Sequence, residues 1–114
     1  MILHPFFISN SFCTFFVTLC GFITSQVTRH YAHLAHTPFF DELLRYMTSG
    51  PVMVTAWAGR GAISSLRRIV GATDPARATA GTVRGDLGAT VEENVAHASE
   101  NTAEAEREAG IWFP

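Results

Sequence analysis

The chain has 114 residues, 47% of them hydrophobic, and a formal net charge of −2. This length can bury the core of one domain but is too short for two. The hydrophobic content argues against disorder, and the lack of excess positive charge argues against a nucleic-acid-binding surface. The composition therefore predicts one folded domain that does not bind nucleic acid.

The basic residues are all of one kind, since the eight are arginines and the chain has no lysine. A guanidinium offers a planar fork of donors for phosphate or carboxylate, whereas the lysine ammonium is a compact point charge. Genomic codon bias is the simpler explanation of this composition. In either case, chemistry that depends on a lysine is not open to this chain.

The first 28 residues carry no charged side chain, and residues 5–24 are long enough to span a membrane. Polar residues and glycine interrupt this run, and no basic residue precedes Arg29 as a signal peptide would require. The alternation of apolar and β-branched residues favours a buried strand within residues 12–24 over a membrane anchor. Cys13 and Cys20 lack C-x-x-C spacing, so we expect free, buried cysteines in a cytoplasmic protein.

Apolar spacing and turn residues predict four elements in the middle of the chain. Their order is a helix from Ser25 to about His33, a helix over residues 39–47, a strand over residues 52–57 and a helix over residues 59–70. Pro38 separates the first two helices, and Ser49-Gly50-Pro51 ends the second.

The last part of the chain combines a long loop with two helices. Residues 72–88 are rich in Thr, Asp, Pro, Ala and Gly, which predicts a loop of the kind that carries function. A short helix is expected to begin near Thr90 and to hold His97 at or just beyond its end. Asn101 caps a final helix that Gly110 ends. Strands mixed with several short helices predict an α+β fold.

One histidine stands among small residues in the sequence E-N-V-A-H-A-S-E, residues 93–100. The small neighbours leave room for a large group to reach the ring of His97, which suggests a nucleophile. The carboxylate of Glu108 and the hydroxyl of Ser99 could orient this ring and fix its tautomer. A histidine without a catalytic role is the alternative.

Two arginines and a threonine surround the long loop. Arg67 and Arg84 lie near its two ends and Thr73 lies at its start, so their donors could clamp phosphate oxygens. Solvated surface arginines are the alternative interpretation.

Three histidines, His30, His33 and His36, are spaced by three residues. A metal site would require two of them on one helical face and a further carboxylate or cysteine. Pro38 ends the helix near the third, and no further ligand is evident in the sequence. No metal site is therefore predicted.

A series of motifs from about His30 to Phe113 resembles the nucleoside diphosphate kinases, in the order found in that family. The matching residues are Tyr31, Pro38-Phe39-Phe40, Tyr46-Met47-x-Ser49-Gly50-Pro51-Val52, Trp57, Arg67, Gly71-x-Thr73-Asp74-Pro75, Gly81-Thr82-x-Arg84-Gly85-Asp86, Asn94-x-x-His97-x-Ser99 and Glu106-x-Glu108-x-Gly110-Ile111-Trp112-Phe113. The resemblance implies a ferredoxin-like α+β fold over residues 12–114, with an antiparallel sheet and helices on its faces.

The resemblance also implies a role for each matching residue. His97 would take the γ-phosphate of a nucleoside triphosphate and pass it to a diphosphate in a ping-pong reaction, while Ser99 and Glu108 orient its ring. The nucleotide would be held by six further residues: Arg67, Thr73 and Arg84 at the phosphates, Tyr31 lining that site, Phe39 stacked on the base and Asn94 at the ribose.

The cofactor and partners follow from the same resemblance. Mg²⁺ would arrive with the nucleotide, because the matching residues include no set of metal ligands. The partners implied are ATP and other nucleoside di- and triphosphates, together with copies of the same chain in a tetramer or hexamer. No membrane partner is implied.

The resemblance fails at the N-terminus, where residues 1–11 are atypical. Members of the family have a strand ending in Lys-Pro-Asp and a helix before the segment that corresponds to residues 12–24. This chain has no lysine and few residues there, so we expect a truncated or misstarted member without the first strand and helix. Two interpretations follow: an active kinase, or a catalytically impaired remnant that binds nucleotide or oligomerises.

Overall fold

The computed structural model describes the backbone of residues 13–20 and the whole of residues 24–114. The elements are, in order, β1 (Cys13–Cys20), α1 (Thr24–His30), a 3₁₀ helix (Ala32–Leu34), α2 (Phe40–Met47), β2 (Val52–Ala58), α3 (Ala62–Val70), a second 3₁₀ helix (Pro75–Arg77), α4 (Val83–Leu87) and α5 (Thr102–Trp112). Helices and strands are mixed along the chain, which agrees with the α+β prediction. The predictions for residues 1–11 and for a missing first strand lie outside the described residues.

β1 and β2 form an antiparallel pair, whose register runs from Cys13 opposite Ala58 to Cys20 opposite Val52. The strand predicted within residues 12–24 is thus confirmed for residues 13–20. In the part of the chain that the structure describes, no helix is both long enough and apolar enough to cross a membrane.

Two small apolar clusters hold the described elements together, and Trp112 contacts both of them. In the first cluster, Val54 and Ala56 on one face of β2 meet Ala109 of α5. The second is built on Val27 of α1 and the apolar side of α2. Burial of this apolar surface is the main favourable term in folding. It fixes the end of α5 against both β2 and α1.

α1 is shorter than predicted and ends at His30 instead of near His33. The chain then tightens into a 3₁₀ turn, in which the Leu34 amide donates to the carbonyl of Tyr31 at 2.8 Å. His30, the last residue of the helix, is buried.

α3 begins at Ala62, three residues later than predicted, because Gly61 has a left-handed conformation with φ of +64°. The residues that α3 buries recur at every fourth position and so share one face: Ala62, Leu66 and Val70. Gly71, with φ of +90°, follows the last helical residue, as predicted.

Residues 72–88, predicted as a loop, contain two short helical segments. The carboxylate of Asp74 accepts a hydrogen bond from the Ala76 amide at 3.0 Å and starts the 3₁₀ helix. The hydroxyl of Thr82 accepts one from the Gly85 amide at 3.1 Å and starts α4. The prediction was wrong because side-chain caps, and not an apolar period, set these helices.

The helix predicted near Thr90 is absent, since the chain from residue 89 to residue 101 has no helical assignment. The Ala89 amide donates to the carbonyl of Glu93 at 3.0 Å, which is the reverse of the direction found in an α-helix. The hydroxyl of Thr90 accepts from the Glu93 amide at 3.1 Å and closes a local turn. These bonds occupy backbone groups that would otherwise form the hydrogen bonds of a helix.

α5 starts as predicted, because the side chain of Asn101 accepts a hydrogen bond from the Glu104 amide at 3.0 Å. The Glu104 carboxylate in turn accepts from the Glu100 amide at 3.0 Å. The helix does not stop at Gly110 but continues to Trp112. The extra residues place Trp112 one turn after Glu108, on the same side of the helix.

We expect Asn101→Ala to lower the free energy of unfolding by about 1 kcal/mol, because the Glu104 amide loses its acceptor. Urea denaturation would measure the loss. Asn101→Asp is the matched control, since it keeps an acceptor and adds a charge that the helix dipole favours. An equal loss in both variants would contradict this account of the cap.

Candidate active site

The ring of His97 contacts a carboxylate on α5. The Nε2 atom of His97 lies 2.9 Å from Oε1 of Glu108. The Glu108 side chain is 1% exposed, whereas that of His97 is 28% exposed. The contact thus has a buried side, formed by Glu108, and an accessible side, formed by the ring.

Glu108 is surrounded by donors on both of its oxygens. The Ser99 hydroxyl donates to Oε2 at 2.5 Å. Besides His97, Oε1 has Nε2 of His30 and a guanidinium nitrogen of Arg107 at 3.6 Å each. These contacts compensate for the cost of removing a carboxylate from water.

The charge state of Glu108 fixes the tautomer of His97. Burial raises the pKa of Glu108, but hydrogen bonds from His97 and Ser99 and the nearby histidines outweigh burial and lower this pKa to about 2. Glu108 is therefore ionised at neutral pH and can only accept hydrogen bonds. A neutral His97 must then carry its proton on Nε2, which leaves the lone pair on Nδ1.

His30 is a second, neutral histidine beside the first. Burial, with the charge of His97 next, lowers the pKa of His30 to about 3. Its Nδ1 accepts a hydrogen bond from the Trp112 indole at 3.0 Å. Because an indole N–H can only donate, the proton of neutral His30 lies on Nε2.

The ligand atoms of His30, His97 and Glu108 lie within 4.8 Å of one another, a spacing that a metal ion could bridge. The bond from Trp112 argues against this use, because it places a proton on the His30 nitrogen that a metal would need. His33 and His36, the other histidines of the sequence series, are exposed and do not join this group. The cluster suits a hydrogen-bond network better than a metal site.

Two arginines bind the backbone on either side of His97. A guanidinium nitrogen of Arg67 donates to the carbonyl of Ala98 at 3.1 Å, and one of Arg84 donates to that of Ala96 at 2.7 Å. Burial, followed by the charge of Arg67, lowers the pKa of Arg84. Among the residues that the structure describes, neither arginine has a carboxylate within ion-pair distance. The surroundings of His97 therefore carry uncompensated positive charge, which favours an anion.

A strained turn leads into His97. Val95 has φ of +62°, and the Ala96 amide donates to the carbonyl of Asn94 at 2.8 Å. Left-handed backbone is rare for a β-branched residue and is typical of functional sites. This turn directs the Ala96 carbonyl to Arg84, and thus helps to position the next residue, His97.

The remaining predicted nucleotide-binding residues are only partly brought together. The Asn94 side chain donates to the carbonyl of Thr73 at 3.2 Å, so these two residues are neighbours. Tyr31 is buried, and its ring centre lies 5.9 Å from that of His97. Phe39 is 40% exposed at the start of α2, and no described contact links it to His97.

An apolar cavity of about 500 Å³ lies beside His97, between β2 and the end of α2. Of the predicted nucleotide-binding residues in the described chain, Tyr31 alone lines it. We therefore do not assign the nucleotide site to this cavity.

The sequence assigned no role to Trp112 or Arg107, and His30 was considered only as a metal ligand. Trp112 follows Glu108 by four residues in a helix, so the spacing alone could have placed the two side chains together. His30 gives no comparable signal, because it lies 78 positions before Glu108 in the sequence.

We expect the free energy of unfolding to fall as the pH drops below about 6.5. The unfolded chain then protonates His30, whereas the folded chain resists this until about pH 3. Glu108 adds a second loss between about pH 4.5 and pH 2, because its pKa is lower in the folded state.

Urea titrations from pH 7.5 to pH 4.5 would measure the effect of His30. The free energy of unfolding should depend more steeply on pH in the wild type than in His30→Gln, by up to about 1.4 kcal/mol per pH unit. The variant His33→Gln, at an exposed position, should keep the wild-type slope. Equal slopes in all three proteins would contradict a buried, neutral His30.

Comparison with known proteins identifies the family of this chain. The sequence model of the family described as "Nucleoside diphosphate kinase" matches residues 6–114. The nucleoside diphosphate kinase of Solanum lycopersicum is 43% identical over 86 residues, which are 75% of this chain and 60% of the relative. That of Symbiobacterium thermophilum is 49% identical over 84 residues, which are 74% of this chain and 56% of the relative. The chain thus spans about 60% of the length of these relatives.

Solved structures resemble the fold as well. Nucleoside diphosphate kinase from Encephalitozoon cuniculi aligns with a TM-score of 0.84 at 33% identity, over 90% of this chain and 69% of that one. The nucleoside diphosphate kinase from Halobacterium salinarum, solved in complex with CDP, aligns with a TM-score of 0.83 at 35% identity. The alignment covers 90% of this chain and 68% of that one. The ferredoxin-like α+β fold expected from the sequence is confirmed by these neighbours. The chain belongs to the nucleoside diphosphate kinase family.

Proposed function

We propose that this chain transfers the γ-phosphate of a nucleoside triphosphate to a nucleoside diphosphate through a phosphohistidine at His97. The observation that carries the proposal is the 2.9 Å contact between Nε2 of His97 and the buried carboxylate of Glu108. Membership of the family supports the same reaction. The relatives are named for it.

In the first half of the reaction, the lone pair on Nδ1 of His97 attacks the γ-phosphorus. A nitrogen–phosphorus bond forms, and the bond from this phosphorus to the bridging oxygen breaks, so that the nucleoside diphosphate leaves with the electron pair. The ring becomes cationic, and the carboxylate of Glu108 stabilises this charge. In the second half, the terminal phosphate oxygen of another diphosphate attacks the same phosphorus and releases neutral His97.

The positive charge around His97 supports phosphate binding by Arg67, Arg84 and Thr73. Phosphoryl transfer depends mainly on positioning and on neutralisation of the phosphate charge. The two guanidiniums are held by carbonyls next to His97, and so they would approach the phosphates without a large movement of the backbone. Both features fit an anion that enters beside the ring.

The remaining expectations concern the nucleoside. The relative from Halobacterium salinarum was solved with CDP, and we propose that a nucleotide lies here near Tyr31, with its ribose at Asn94 and its base on the exposed ring of Phe39. Mg²⁺ would be held by the phosphates, because the buried carboxylate of Glu108 already accepts from His97 and Ser99.

We also propose that the chain forms homo-oligomers. Several large apolar side chains are exposed in the described part of the chain: Met53, Ile69, Leu87 and Val91. Exposed apolar surface of this kind is common at protein interfaces. Light scattering after gel filtration should give a mass several times that of the 12.4 kDa chain, and a monomer would contradict this expectation.

The central experiment is incubation with γ-³²P-ATP, followed by acid and by base. We expect a label on the protein that is lost in acid, survives base and passes to added GDP. His97→Asn should abolish the label, whereas His33→Gln, at an exposed position, should keep it. A folded protein that takes no label would overturn the proposal, and label retained by His97→Asn would overturn the choice of nucleophile.

A further inference from the structure

His30 is the most enclosed histidine of the described chain, and three different segments meet at its ring. The side chain is 5% exposed. Its ring centre lies 4.4 Å from that of His97, with the two planes at 87°, and 4.5 Å from that of Tyr31. From α5, Trp112 donates to Nδ1 and Glu108 faces Nε2. The proposed reaction leaves this residue without a role.

The main chain of His30 is tied to the same helix. Two guanidinium nitrogens of Arg107 each donate to the carbonyl of His30 at 3.3 Å. The carbonyl and the ring of His30 are thus both held by α5, which also carries Glu108. A shift of His30 relative to Glu108 would break three hydrogen bonds.

The ring of His30 directs a proton and no net charge towards Glu108. Its Nε2 atom lies 3.6 Å from Oε1, which is longer than a hydrogen bond but close enough for dipole attraction. The same oxygen accepts the bond from His97. Attraction from His30 therefore keeps Oε1 in the place where His97 needs it.

The ring of His30 carries no net charge, and this is as important as the proton on its Nε2 atom. During transfer the ring of His97 becomes cationic, and a cation on His30 at this distance would oppose the reaction. The other charged or titratable groups against His30 are Glu108, Arg107 and Tyr31. Glu108 favours a proton on this ring and Arg107 disfavours one, but the burial of His30 outweighs Glu108 and keeps the ring neutral. Trp112 occupies Nδ1, the nitrogen that would otherwise take up that proton.

We propose that His30 is a positioning residue for His97: Trp112 fixes its Nε2–H tautomer, which holds the Glu108 carboxylate against Nε2 of His97. The inference rests on the proposed function, because positioning matters only if His97 reacts. It extends that function to two residues, His30 and Trp112, which are hydrogen-bonded to each other.

Three variants separate the parts of this arrangement. His30→Phe keeps a ring but removes both nitrogens. His30→Gln places a neutral amide N–H near the position of Nε2. Trp112→Phe keeps an aromatic side chain in the core but removes the indole N–H. Circular dichroism and thermal unfolding would check that each variant folds, and the exposed His33→Gln serves as control.

Single-turnover phosphorylation by ATP gives the first readout. We expect His30→Phe to slow labelling of His97 about tenfold or more, because the hydrogen bond between Glu108 and His97 loses its orientation, with little change in the ATP concentration for half-maximal rate. His30→Gln should recover most of the rate. Equal rates in wild type and His30→Phe, or no recovery in His30→Gln, would overturn the proposal.

The pH dependence of this rate gives the second readout. Without the indole N–H, His30 can be protonated on Nδ1, so the acid limb for Trp112→Phe should move to higher pH. The double variant His30→Gln/Trp112→Phe should lack this shift. The role of the indole would be contradicted if the acid limb of the pH–rate profile did not move in Trp112→Phe. The same shift in the double variant would also contradict it.

A third readout does not depend on catalysis. Long-range ¹H–¹⁵N spectra of the histidine rings should give the Nε2–H tautomer for both His30 and His97 in the wild type. His97 should become a mixture of tautomers in His30→Phe and should recover in His30→Gln. If the tautomers behave in this way but no label forms, the proposed function fails, whereas the effect of His30 on the tautomer of His97 is confirmed. If label forms but the tautomer of His97 is the same in the wild type and in His30→Phe, the inference fails and the proposed function stands.

Discussion

A carboxylate that is almost fully removed from water has to be satisfied by the protein, and Glu108 meets this requirement with donors from three segments. Ser99 binds one oxygen, His97 binds the other, and His30 and Arg107 approach that second oxygen. Since an unpaired buried charge is costly, the fold must bring all these groups to the same point. The orientation of the His97 ring is a consequence of that requirement.

The rest of the described structure serves to deliver these groups. The cap at Asn101 begins α5, and the apolar contacts of Trp112 with β2 and α1 hold its far end. The short helix α4 and the turn at Val95 bring Arg84 to the backbone beside His97. The buried carboxylate of Glu108 thereby connects the ends of elements that are distant in the sequence.

The sequence predicted well the features that local rules decide. The cap at Asn101 follows from residue types a few positions apart, and residues 13–20 show the alternation typical of a strand. The error near Thr90 has two physical reasons. Local bonds of Ala89 and Thr90 with Glu93 replace those of a helix, and the residues on either side of Val95 are held by tertiary contacts that no local rule contains. His30 was missed for a similar reason, since its partners lie on a helix far along the chain. The sequence predicted that Glu108 would lie close to His97. The tautomer of His97 could be assigned only from the distance between its Nε2 atom and Glu108.

In the proposed reaction the phosphate joins Nδ1 of His97, because Glu108 holds the proton of the neutral ring on Nε2. The isomer of the phosphohistidine can be identified by ³¹P and ¹⁵N spectroscopy of the labelled protein, kept at alkaline pH to preserve the bond. We expect phosphate on Nδ1, with the proton on Nε2. Phosphate found on Nε2 would contradict this expectation, because that nitrogen faces the carboxylate of Glu108.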